Sequence, residues 1–162
     1  LGHINAHWLK LRDDAWLAAE VTRRLAGRPN LALGTDAIHR IHTLMPALKE
    51  RAKTLVELAD SAAFLAHTLP LAMQPKAEAL LSAENRLMLR EVAAGLAASD
   101  FSLAGVDAAL RAFSEASGRK LGAVAQPLRA ALTGSNVSPG IDAVLVALGR
   151  DAALARIAAA AQ

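Results

Sequence analysis

The stretch Ser102-Leu103-Ala104-Gly105-Val106-Asp107-Ala108-Ala109-Leu110-Arg111-Ala112-Phe113-Ser114-Glu115-Ala116-Ser117-Gly118 spells out one helix from start to stop. A serine hydroxyl at the start accepts hydrogen bonds from the free N–H groups of a first turn, and a glycine at the end takes the left-handed conformation that closes a last one. Between them Leu103, Val106, Leu110 and Phe113 recur at helical spacing, so all four are predicted to face a core. The helix is predicted from Ser102 to about Ala116.

The same punctuation repeats outward in both directions. Towards the carboxy terminus a helix is predicted over 121–132, with Pro127 either kinking it or lying in its first turn, and Gly134 ending it. Ser138-Pro139 then reads as N-cap and first helical residue of a short apolar helix over 141–148, before Gly149 and a last Ala-rich helix. Towards the amino terminus Ser82 caps a helix to about Ala98, and Thr54 restarts the chain towards Ala66. Thr35 is the expected cap of a helix that Pro46 should stop at Met45, and a helix over 13–26 ends at Gly27 and the Arg28-Pro29-Asn30 turn. Pro70 and Pro75 forbid a continuous helix between them and mark the expected boundary between two subdomains, 1–69 and 70–162.

Composition points the same way. The chain has 162 residues, 54% of them hydrophobic, with 39 Ala and 27 Leu against 8 Val and 5 Ile. Unbranched helix formers therefore dominate, no period-two alternation appears, and the expected class is all-α with two packed helical subdomains. Without cysteine there is no disulfide framework, thiolate site or cysteine nucleophile. Apolar runs are too short for a membrane span and no signal-peptide pattern opens the chain, so a cytoplasmic location without membrane contact is expected.

The formal net charge is +3, and residues 108–134 alone carry Arg111, Arg119, Lys120 and Arg129 against Glu115. Such a stretch can attract a polyanion by counterion release, or can be an ordinary solvated basic face. Catalytic chemistry is scarce. His3 with His7 and His39 with His42 could share helix faces, but neither pair has a third metal ligand at a suitable spacing, and no metal site is expected. Asp13 and Asp14, adjacent on a helix, diverge and suit capping rather than acid–base work. The loop 133–140 lacks the lysine of a phosphate-binding P-loop, and no serine-hydrolase elbow, kinase or dinucleotide signature is present. Trp8, Trp16, Phe64, Phe101 and Phe113 are too few for a sheet-type base-stacking platform, so any bound RNA should stack on arginine planes and on aliphatic or proline surfaces.

The run Lys120-Leu121-Gly122-Ala123-Val124-Ala125-Gln126-Pro127-Leu128-Arg129-Ala130-Ala131-Leu132-Thr133-Gly134, with Val137-Ser138-Pro139-Gly140 and Leu145-Val146-Ala147-Leu148-Gly149-Arg150 after it, closely resembles bacterial glutamyl-tRNA synthetases. So does Arg51-Ala52-Lys53-Thr54-Leu55-Val56-Glu57, and Ile4-Asn5-Ala6-His7-Trp8-Leu9 is similar to the family's segment just after its catalytic and stem-contact portions. The resemblance spans essentially the whole chain, strongly after Lys120 and more loosely between His67 and Ser99. The family's H-I-G-H and K-M-S-K-S motifs have no counterpart here.

What the resemblance implies is the helical anticodon-binding region of a class I enzyme. It would recognise the anticodon stem-loop of the glutamate tRNA while the catalytic domain of the same parent chain joins glutamate to tRNA using ATP and Mg²⁺. The present chain alone is then expected to need no cofactor and to be catalytically inactive. By motif position Arg111 and Arg129 are similar to the family's arginines at the anticodon loop. Ser138, Pro139 and Ile141 fall where the family contacts anticodon bases, and Arg51 falls at or next to the arginine that senses the third base. The same residues have plain readings: a helix cap, a core residue, surface charges. The competing reading is an Ala-rich all-α protein-interaction module whose basic stretch meets an acidic partner.

Overall fold

A computed structural model describes residues 2–162, with side chains from residue 6 onward. Among the described residues there are ten α-helices and no strand, only an isolated antiparallel bridge between Leu31 and His67. The helices are α1 (Gly2–Leu11), α2 (Asp14–Leu25), α3 (Thr35–Arg51), α4 (Leu55–Ala62), α5 (Pro75–Glu78), α6 (Ala83–Ala98), α7 (Leu103–Ser117), α8 (Leu121–Thr133), α9 (Ile141–Leu148) and α10 (Arg150–Ala160). They divide into two compact units, Leu1–Thr68 and Leu69–Gln162.

In the first unit α2, α3 and α4 pack on one another around Leu17, Val21, Leu25, Ile41, Met45, Leu48 and Leu58, all without measurable solvent exposure. The chain enters α2 through Asp13, whose carboxylate accepts the Trp16 N–H, and α4 through Thr54, whose hydroxyl accepts the Glu57 N–H. Two expectations fail in α3. Thr35 is the first helical residue rather than the cap, which is Gly34. Pro46 lies inside the helix, which continues to Arg51. The reason is the face it occupies: Pro46 and His42, whose carbonyl loses its partner to the ring, are both exposed, so the break in the bond ladder falls on the solvent side of the helix. Buried Leu44, Met45 and Leu48 meanwhile hold both sides of the proline on the core.

In the second unit α10 packs on α6, α8 and α9, and α7 packs on α6, α8 and α9. Alanines Ala130, Ala131 and Ala153 are wholly buried where these helices meet, and their small side chains permit close approach. Ser82 and Ser102 cap α6 and α7 as their positions predict, each accepting from the N–H three residues on. Next to Ser102, the Asp100 carboxylate accepts from the Ser102 hydroxyl and N–H, which holds its pKa below the ordinary carboxylate range. Of the apolar set predicted to face the core, Val106 and Leu110 are buried and Phe113 is half-buried. Leu103 is 52% exposed, since it stands in the first turn, beyond the edge of the core. Pro127 sits buried in mid-helix, so it does not occupy the first turn of α8, and the carbonyl it leaves unpaired belongs to exposed Ala123.

Gly118 and Gly134 both close their helices with positive φ, at 70° and 74°. They differ in surroundings. A Cβ on Gly118 would meet nothing within 4 Å, whereas one on Gly134 would lie 2.4 Å from the Ala72 carbonyl oxygen. The Gly134 carbonyl accepts the Gln74 N–H at 2.9 Å, so the segment after Pro70 is laid directly against this turn. Gly118→Ala should therefore cost about 1 kcal/mol, the left-handed penalty alone. Gly134→Ala adds a backbone clash and should cost about 3 kcal/mol. Urea unfolding of both variants checks this, and equal losses would contradict it.

Candidate nucleic-acid interface

The loop 135–140 between α8 and α9 is built around one guanidinium. Arg129 stands on α8 one turn before the helix end, half-buried, and its Nε donates to the Ser138 hydroxyl at 2.7 Å. Its Nη2 reaches the Pro139 carbonyl at 3.4 Å, and the Ser138 hydroxyl donates to that same carbonyl at 2.7 Å. Serine, arginine and carbonyl thus close a ring of bonds that fixes the plane of the guanidinium. Lysine, a point charge on a flexible stem, has no equivalent geometry.

This arrangement corrects the expected cap. Ser138-Pro139 do not open α9, whose cap is Gly140 and whose first residue is Ile141. The Ser138 hydroxyl is already occupied by Arg129 and the Pro139 carbonyl, so it is not used to cap the helix. Pro139 is buried and its carbonyl accepts from Arg129 and Ser138, while Ser138 and Ile141 are half-buried.

Thr133 and Gly134 support the loop from below, and sequence reasoning did not single them out as site residues. The Thr133 hydroxyl, on a residue only 5% exposed, donates to the Arg129 carbonyl at 2.7 Å and accepts the Ser135 N–H at 3.1 Å. Ser135 in turn accepts the Val137 N–H, leaving Val137 60% exposed at the loop's tip. The Thr-Gly-Ser order is the only sequence sign of this staple, and nothing local shows that the threonine is buried.

The remaining expected residues are placed differently. Arg111 lies on the exposed face of α7 and pairs with Asp107 at 2.9 Å, one turn back. Its side chain is 66% exposed, and such a pair is worth only about 0.3–0.5 kcal/mol. Asp107 stands one residue outside the stretch whose charge excess was counted, and Arg119 lies 3.7 Å from Glu84 and 3.9 Å from Glu91. The basic surface is therefore more evenly balanced than the local count. Arg51 is the exposed last residue of α3, in the first unit, whereas Arg111, Arg129, Ser138, Pro139 and Ile141 belong to the second. His39 and His42 are exposed on α3, and the side chain of His3 lies outside the described residues. Among the described residues no cluster of three or more His, Asp or Glu is placed to hold a metal, and no helix is long and apolar enough to cross a membrane.

A family model described as the anticodon binding domain matches residues 15–161. The chain belongs to that family. This anticodon-binding domain is 55% identical over 163 residues to glutamate–tRNA ligase 1 of Gluconacetobacter diazotrophicus, covering all of this chain and 35% of that protein. It is 50% identical over 147 residues to glutamate–tRNA ligase 1 of Acidiphilium cryptum, covering 91% of the chain and 32% of that protein. The crystal structure of a glutamate tRNA ligase from Elizabethkingia meningosepticum, in complex with its amino acid, overlays with a TM-score of 0.80 at 23% identity. That overlay covers 97% of this chain and 30% of the other, and is a likeness of fold. The domain spans about a third of the length of the curated relatives it matches.

Within the domain, the buried Thr133 hydroxyl is the support most easily removed without changing shape. Thr133→Val should keep α8 intact but cost about 1–3 kcal/mol, because the Ser135 N–H loses its acceptor. Thr133→Ser should restore most of that loss in thermal unfolding. A Val variant as stable as the native domain would show that the staple carries no weight.

Proposed function

We propose that this chain recognises the anticodon stem-loop of the glutamate tRNA as the carboxy-terminal part of a glutamate–tRNA ligase. The observation that carries this reading is the ring formed by Arg129, Ser138 and the Pro139 carbonyl, on the surface of a chain that belongs to an anticodon-binding family. Single-stranded loops are recognised by splaying bases against planar groups and bonding their edges, and an immobilised guanidinium offers both a plane and directed donors. Ser138 and Ile141 line the same loop and the start of α9. Arg111, released from a weak pair with Asp107, contributes at a phosphate or base edge. Arg51, which falls at or next to the family's arginine for the third anticodon base, is assigned to that base.

The catalytic steps belong to the rest of the longer protein. There the nucleotide-handling motifs absent from this sequence would bind ATP with Mg²⁺ and activate glutamate. The present domain supplies recognition only and has no reaction of its own. A cytoplasmic location follows from that role, since its tRNA partner is used in translation. Sequence relatives named as glutamate–tRNA ligases favour this reading over a protein-interaction module.

Titration of anticodon stem-loops at two salt concentrations tests the proposal. Arg129→Lys keeps the charge but loses the fork, and should weaken the cognate loop by about 1–3 kcal/mol while relaxing discrimination among anticodon variants. If the guanidinium holds only a phosphate, Arg129→Lys should be mild, and Arg129→Ala should weaken all loops alike and lower the salt slope by about one. Unchanged binding by both variants, with helicity preserved, would remove Arg129 from the interface.

A further inference from the structure

The first unit carries an aromatic side chain that the anticodon reading has not used. Trp8 on α1 is 39% exposed although it is one of only two tryptophans in the chain. It is not loosely held. Its ring meets Trp16 edge-on, with centroids 5.6 Å apart and planes at 87°. The Arg12 guanidinium lies 4.7 Å from the Trp8 ring and 4.1 Å from the Trp16 ring, within cation–π range of both. The Arg12 backbone is anchored, because Lys49 on α3 donates to its carbonyl and also pairs with Asp14 at 2.7 Å.

Trp8, Leu9, Thr54 and Leu55 line an open recess of about 150 Å³. That is half the volume at which clefts for drug-sized ligands begin, about 300 Å³, and suits a single ring. The residues leading into Thr54 are basic: Arg51 ends α3 and Lys53 follows, both exposed. Two carboxylates stand close by in the chain: Glu50 pairs with Lys10 at 3.6 Å, and Glu57 accepts the Lys53 backbone N–H at 2.9 Å and keeps its charge. An indole in a ring-sized recess, whose lining residue Thr54 follows exposed Lys53 directly and exposed Arg51 by three residues, has the chemistry of a subsite for one nucleotide.

Resting on the anticodon reading, we propose that the Trp8 recess receives one unstacked nucleobase of the bound RNA, with Arg51 and Lys53 at its phosphate or edge. The ring plane is fixed before binding, so little side-chain freedom is lost when a base stacks on it. Stacking in this domain is then shared between arginine planes and one tryptophan, which the low aromatic count concealed.

Trp16→Phe leaves Trp8 as the sole indole, and its emission reports the recess directly. A cognate anticodon stem-loop should quench it, while an RNA duplex of equal length and charge should not. In binding titrations Trp8→Ala should weaken the stem-loop about ten-fold and Trp8→Phe much less. Unchanged Trp8 emission, with a Trp8→Ala variant that binds as tightly as the native chain, overturns the proposal and leaves the indole to a protein contact. If Arg129→Ala still weakens binding in that case, the anticodon reading survives without the recess. If the native chain binds no stem-loop at all, both fall together.

Discussion

The turn at Gly134 is the constraint on which the second unit's surface depends. Its backbone is left-handed, its carbonyl takes the Gln74 N–H, and the Ala72 carbonyl fills the space where any side chain would go. Those conditions fix where α8 stops and in which direction the chain leaves it. The Thr133 hydroxyl then secures the next residues, Ser138 is brought beside Arg129, and α9 begins only after the ring of bonds has closed. A shift at Gly134 would move each of these in turn, because each is placed by the one before it.

Arginine serves two different purposes in this chain, which explains why charge counting describes its surface poorly. Arg86 and Arg90 on α6 donate to the carbonyls of Ala160, Ala161 and Gln162, taking up carbonyls at the last turn of α10. Buried Arg156 donates to the Leu132 carbonyl at 2.7 Å, tying α10 to the last turn of α8. These guanidinium groups are fasteners between helices. Arg51 and Arg111 stand at the surface, and Arg129 combines the two roles, fastened to its own loop while half-exposed. A local excess of positive charge does not reveal which arginines belong to which group.

Short-range features of the fold were readable from the sequence, and features set by distant neighbours were not. Caps at Asp13, Thr54, Ser82 and Ser102 and stops at Gly118 and Gly134 involve atoms within a few residues, so local order is enough to place them. Pro46 was expected to end α3 because the sequence shows the missing N–H but not that the orphaned carbonyl faces water. Ser138 was expected to cap α9 because the sequence shows a serine before a proline but not that Arg129, on the preceding helix, already holds its hydroxyl. Resemblance to the synthetase family points to Arg129, Ser138, Pro139 and Ile141 in and beside this loop, and equally to Arg51 and Arg111, which stand on α3 and α7. The buried Thr133 hydroxyl and the backbone contact with Ala72 became visible only in three dimensions.

The Nε–H signal of Arg129 in a nitrogen–proton NMR spectrum observes directly whether Ser138 immobilises the guanidinium and whether RNA meets it in that state. In the free domain the signal should be sharp and protected from solvent exchange, and should lose that protection in Ser138→Ala. On titration with the cognate anticodon stem-loop it should shift, while a loop with altered anticodon bases should move it much less. A signal that exchanges freely in the native domain, or that ignores the cognate loop, would contradict the account.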